Sequence, residues 1–262
     1  MATDSLPAEG ELRIGAVMLP AGRQVVPMEG PGEPVAWVTT GPVPDAGLAW
    51  SALSDAHQQT GLVPILLTSG EESEDHFFCS PGDISQLDQL DAAEVLAGLW
   101  EGRMPSDGDE EHDDHWAAIR RPFSRQFPGL APHEDTKLSM AQLHEALRSL
   151  PAAPIGLVPA ARPADVLPTV GWLASDQPQT QLPIAAILRS WEARFGARLL
   201  AVGPGAQIRL LVERPPRTAE AAQAVAAEHF AFCDECAGQG LRDIPGITAS
   251  LVDAPTWTLW WD

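Results

Sequence analysis

Tyrosine is absent from the sequence, cysteine occurs three times, and lysine and arginine together number 16 against 36 aspartates and glutamates. Each shortage excludes something. Phosphate contacts need lysine and arginine, so a chain of net charge −20 is not expected to bind nucleic acid directly. Cys79, Cys233 and Cys236 are odd in number and widely spread, which predicts no disulfide framework and suits a reducing cytoplasm. No run of about 18 apolar residues exists, so no membrane span is expected. The opening "MATDSLPAEGELRIG" has no basic segment followed by an apolar one, so no secretory signal is expected either. The nucleophile and phosphate-loop patterns GxSxG, HExxH and GxxxxGK[ST] are missing as well.

What is present is turn-forming and acidic. The 22 glycines and 25 prolines imply short elements joined by many turns. The charge is uneven: residues 1–150 hold 25 acids against 8 bases, and residues 151–262 hold 11 against 8. Fifteen of the acids fall in 71–115, where Arg103 is the single base. Such a zone suits either solubility or the long-range attraction of a basic protein partner.

Hydrophobic periodicity predicts an α+β protein of two lobes, each a small, mainly antiparallel sheet packed with helices. A "PAAP" break at 151–154 divides an acidic N-terminal lobe, 1–150, from a C-terminal one, 151–262. After a polar N-terminal arm, "PAGRQVVPM" and "EPVAWVTTGP" read as strands and "GLAWSALSDAHQQTG" as a helix closed by Gly61. "LVPILL" reads as a buried strand kinked or edge-exposed at Pro64. A second helix is expected to turn Leu90, Val95, Leu96 and Leu99 inward, and "WAAIRRPFSRQFPGLAP" to pack as irregular coil. In the C-terminal part Ile184, Ile187, Leu188, Trp191 and Phe195 make the clearest helical stripe, with Gly196 at the C-cap. "ARLLAVG" and "QIRLLVER" form a hairpin, Thr218 caps the next helix, and "APTWTLWWD" closes the chain as a strand.

Several of these stretches resemble a known family. "LRSWEARFGARLLAVG", "RPP" before a helix, "AAEHFAFC", "QG" and a terminal "WWD" occur in the order seen in domain of unknown function 4253, an uncharacterised bacterial family abundant in actinomycetes. The likeness is strongest over 152–262, with weaker agreement in "PAGRQVVP", "TGLVPILL" and "QFPGLAP". It implies no reaction, ligand or partner. In that family the cysteine after "HFAF" is commonly followed by Pro-Asp, whereas Asp234, Glu235 and Cys236 follow Cys233 here.

Candidate sites are few. On a continuous helix His229 and Cys233 share one face at i and i+4, and Cys236 just beyond would make a third metal ligand. A structural zinc takes four, so the plainer reading is a buried helix end in which the histidine is hydrogen-bonded and the cysteine fills space. The pair also sits at a helix C-terminus, the wrong end for a thioredoxin-like redox motif. His112 and His115, with Asp113 and Asp114, match no known cation cage. The closing strand is apolar on both faces and reads as a covered core strand. The other reading makes Trp257, Trp260 and Trp261 an aromatic groove for a ligand or partner.

These features point to a non-catalytic, cytoplasmic binding or regulatory protein, immunity-like in character, that engages a basic protein partner through its acidic N-terminal lobe and needs no cofactor. The alternative is a metal-assisted hydrolase using His229 and nearby acids with zinc or another divalent ion. The segment 104–115 has no apolar anchor, so limited proteolysis should cut there first; first cleavage elsewhere would show that the segment is held.

Overall fold

The computed structural model describes residues 6–29, 32–68, 78–102, 118–123, 125–172, 181–203, 206–233 and 243–261. The acidic stretch 104–115 lies outside them. The described strands are β1 (Gly10–Ile14), β2 (Val17–Val25), β3 (Ala36–Thr39), β4 (Leu62–Leu67), β5 (Ile155–Pro159), β6 (Ala197–Gly203), β7 (Gln207–Val212) and β8 (Thr256–Trp260). They form one sheet in the order β1-β2-β3-β5-β4-β6-β7-β8. Neighbours are antiparallel except β4 and β6, which run parallel through Leu66↔Ala201 and Leu67↔Val202.

The class is α+β, as the periodicity predicts, but the two small sheets expected are a single continuous one. The reason is β5. It pairs with β3 on one side and β4 on the other, so a strand from beyond the "PAAP" break completes the sheet of the N-terminal part.

Alternation along the strands, broken by a bulge between Leu199 and Ala201 in β6, feeds two apolar layers. Val38, Val63, Ile65, Val158, Leu210 and Leu259 face one side. There they meet α3 (Ala92–Gly102), α6 (Gln181–Phe195), α7 (Ala219–Phe232) and α8 (Ile244–Leu251). Trp37, Leu62, Leu66, Leu157 and Leu211 face the other, under α1 (Ala46–Asp55) and α4 (Met140–Arg148). The short helices α2 (His57–Thr60) and α5 (Val166–Val170) end at Gly61 and Gly171. Helices α1 and α4 cross tightly, because a Cβ on Gly47 would stand 2.2 Å from the Leu147 carbonyl oxygen.

Pro64 is not at an edge. In β4 the odd residues bond to β5, as shown by Leu67 N–H donating to Pro154 O and Ala160 N–H to Gly61 O. Pro64 therefore turns its missing donor toward β6, where pairing starts only at Leu66. Its carbonyl, on that same side, accepts the buried Trp50 indole N–H at 2.8 Å. A proline is tolerated in an interior strand because its neighbour has not yet begun.

Two elements escape the periodicity, β1 and α8, the latter started by Asp243 accepting the Gly246 N–H at 2.8 Å. The closing strand lies beside β7, as its composition requires, but as an edge strand rather than a covered one. Trp257 and Leu259 point into the core, whereas Thr258 is exposed and Trp260 half-exposed. Removing the chain after Pro255 takes away both buried side chains. At about 25 cal/mol per Å² and 150–250 Å² for an aromatic ring, this should cost several kcal/mol. Because the sheet is continuous, a single transition shifted to lower temperature is expected in a thermal melt. An unchanged melt would mark the strand as a peripheral tail.

Candidate functional site

The 3₁₀ helix Ile84–Gln89 and the start of α3 lie against α6 and leave a cleft of about 360 Å³ between them. Side-chain caps fix both turns. Asp83 accepts from the Ser85 N–H at 3.1 Å and the Ser85 hydroxyl at 2.6 Å; hydrogen bonds from Ser85 and then Gln86 hold its carboxyl below the ordinary range. Asp91 accepts from the Ala93 N–H at 2.7 Å and so starts α3. Leu87 is buried against Ala185 and Ala186 of α6. Leu90 and Leu130 line the cleft with 37% and 38% of their surface exposed. Asp88 and Asp91 stand on the same walls.

Across the floor runs Arg189. Its Nε donates to the buried Asp165 at 2.6 Å and its Nη1 to the exposed Asp88 at 2.6 Å. The Asp165 bond outweighs burial and keeps this guanidinium above its usual pKa. Arg189 is thus paired with Asp165 and Asp88 while Asp91 stands on the same walls, and the cleft mixes polar and apolar surface with an acidic excess.

The wall carrying Leu130 is set from inside. Glu228 of α7 has no exposed surface. Its Oε1 accepts from Ala131 N–H at 2.6 Å and Arg194 Nη1 at 2.7 Å, and its Oε2 from Trp191 Nε1 at 2.8 Å and Arg194 Nη2 at 2.6 Å. Arg194 Nη1 also donates to Ala131 O at 2.9 Å. The residue next to Leu130 is thus gripped at both its backbone groups.

The residues singled out from sequence lie elsewhere. His229 packs its ring 4.8 Å from Trp191 and 4.8 Å from Trp257, and its Nε2 is buried without a hydrogen bond. Burial pushes its pKa down to about 3. Cys233 is disulfide-bonded, which corrects the expectation of a space-filling thiol, while Cys79 stays a thiol. The Cys233 Sγ accepts the Trp260 N–H at 3.3 Å. Cys236, His112 and His115 lie outside the described residues, among which no three His, Cys, Asp or Glu side chains group as a metal site. Nor do the three tryptophans share a groove. Trp257 is core, Trp261 packs on Trp172 and Phe232, and Trp260 turns to the opposite face of the sheet.

The cleft was not foreseen, although "QLDQLD" carried a trace of it: Leu87 and Leu90, three apart, alternate with Asp88 and Asp91.

Residues 154–262 match the model of a family described as Domain of unknown function (DUF4253). That match lies in the C-terminal segment. It begins one residue before β5 and takes in α5 to α8, hence Arg189, Arg194 and Glu228, while Leu87 to Asp91 and Leu130 precede it. No curated protein and no solved structure matches the chain.

His229 makes the stability of the fold acid-sensitive. Its folded pKa of about 3 lies below the ordinary histidine value of 6.5, so between these values the unfolded chain binds the extra proton. Stability therefore rises with pH across that window and is lost on acidification, by up to about 1.4 kcal/mol per pH unit. Denaturant unfolding of His229→Phe from pH 3 to 7 should show a flatter acid limb than the parent. Identical limbs would mean that His229 titrates normally.

Proposed function

We propose that this is a non-catalytic binding protein whose cleft takes a basic, amphipathic segment of a partner protein. One observation carries the reading: the two partly exposed leucines of the cleft, Leu90 and Leu130, share it with the carboxylates Asp88 and Asp91. Exposed leucines beside carboxylates suit a segment that alternates leucine-like residues with lysine or arginine. The chain's net charge of −20 would draw such a partner from a distance. That chemistry suits a regulatory or immunity-like role in which a basic protein is held or neutralised, whereas the Cys233 disulfide weighs against the reducing cytoplasm expected from the cysteine count. No helix among the described residues is long and apolar enough to cross a membrane. The metal-assisted hydrolase has less support, since His229 is enclosed by two indoles and Glu228 is occupied by Arg194.

The test uses a helical peptide bearing leucines flanked by lysines, and its counterpart with glutamates for lysines, titrated into the full chain by fluorescence anisotropy. Asp91→Asn keeps the helix cap and removes a charge, and Asp88→Asn removes the second. The lysine peptide should bind, the glutamate peptide should not, and the double variant should weaken binding about tenfold. Leu130→Ser should weaken it further. Equal binding of both peptides, or no effect of the double variant, would remove the cleft as the docking surface.

A further inference from the structure

Among the described residues, no helix covers one corner of the sheet face on which α1 and α4 pack. Cover ends at Leu66, Ala201 and Leu211. Beyond Leu211 the same face of β7 continues with Arg209 and Gln207, and that of β8 with Thr258 and Trp260. Register places Arg209 between Ala201 and Thr258, and Gln207 between Gly203 and Trp260. Arg209, Gln207 and Trp260 are half-buried there. Gly203 keeps the corner low: a Cβ on it would stand 2.7 Å from the Thr68 hydroxyl and 3.3 Å from Gln207 Oε1.

Arg209 is the anomaly. Within the described residues 181–261 every other arginine is bonded: Arg189 to Asp165, Arg194 to Glu228, Arg198 to Glu213, Arg214 to the Ala193 carbonyl, and Arg217 to Asp253. Among the described residues the Arg209 guanidinium has no hydrogen-bond or ion-pair partner, although its backbone is paired with β6 and β8. In a chain with 36 acids and 16 bases an unpaired, half-buried guanidinium is the opposite of what random placement gives. Its planar fork of donors matches a carboxylate. One strand over stands an indole whose backbone is fixed, Trp260 N–H donating to Cys233 Sγ and the next side chain, Trp261, donating to the Phe232 carbonyl at 3.3 Å.

We propose that this corner binds a small organic anion, a carboxylate on a flat apolar body, with the carboxylate on Arg209 and the ring against Trp260. The site lies outside the Leu90–Leu130 cleft and does not depend on it. Aromatic stacking and a charge-assisted fork are separate contributions, so each can be removed by itself.

Benzoate is the probe, with acetate lacking the ring and benzamide lacking the charge. Binding to the full chain is followed through the arginine Nε–Hε resonances, that of Arg209 being assigned by its loss in Arg209→Gln. Benzoate should move this resonance and bind about tenfold more tightly than either control, as one charge-assisted bond implies. Trp260→Val should bring benzoate down to the level of acetate, and Asp88→Asn with Asp91→Asn should change nothing. A stationary Arg209 resonance overturns the proposal. So does benzamide binding as well as benzoate, or benzoate no better than acetate, which would leave a bare charge contact. Because the parent protein's own resonance decides the first point, a poorly folding variant does not shield the proposal.

Discussion

A carboxylate can be taken wholly out of water only if its lone pairs are met, and Glu228 is met by four donors. Those donors come from α6 and from the coil before α4, so one side chain of α7 ties three parts of the chain together. Breaking such a buried pair by removing one partner commonly costs about 3–5 kcal/mol, because the charge left behind has nowhere to go. The geometry also has a direction. Ala131 is held by N–H and C=O alike, which fixes where Leu130 stands, and Leu130 is one wall of the cleft. A core ion pair thus reaches the surface through a single peptide unit.

His229, the neighbour of Glu228 in sequence, shows the contrary case. Its ring is packed as an aromatic between two indoles, but no group meets Nε2. Another carboxylate is strained in milder form: desolvation raises the pKa of Glu192, with Arg162 next in effect and opposing it, and Oε2 is buried without a partner. Satisfied and unsatisfied polar groups thus lie close together on α6 and α7, the helices that pack over the C-terminal strands.

Local signals were legible wherever one residue decides the matter. Thr218 caps α7 by accepting the Ala221 N–H, Gly196 closes α6 at φ 61°, and the stripe from Ile184 to Phe195 is buried as spaced. Strand order was not legible, since periodicity says which face is apolar and never which strand lies alongside. The apparent division into two sheets followed from that blindness. Pro64 misled for the same reason: whether a missing N–H matters depends on where the neighbouring strand begins. Leu90 was assigned to an inner face because helical spacing reached it, yet the helix starts two residues later and leaves it at the surface. Leu130 sits in coil, where no period exists to read.

The place of β5 bears on how the molecule is made. On the ribosome β3 and β4 emerge early, but they do not pair with each other. β3 keeps one edge bare and β4 both, until β5 arrives more than eighty residues after the end of β4 to fill the gap between them. All six side chains of β4 are buried in the finished sheet, so the waiting strand is as apolar a segment as the chain contains. Nascent chains of this protein thus pass through a stage in which an unpaired, sticky strand must be sheltered, and translation speed between residues 67 and 159 sets how long that exposure lasts.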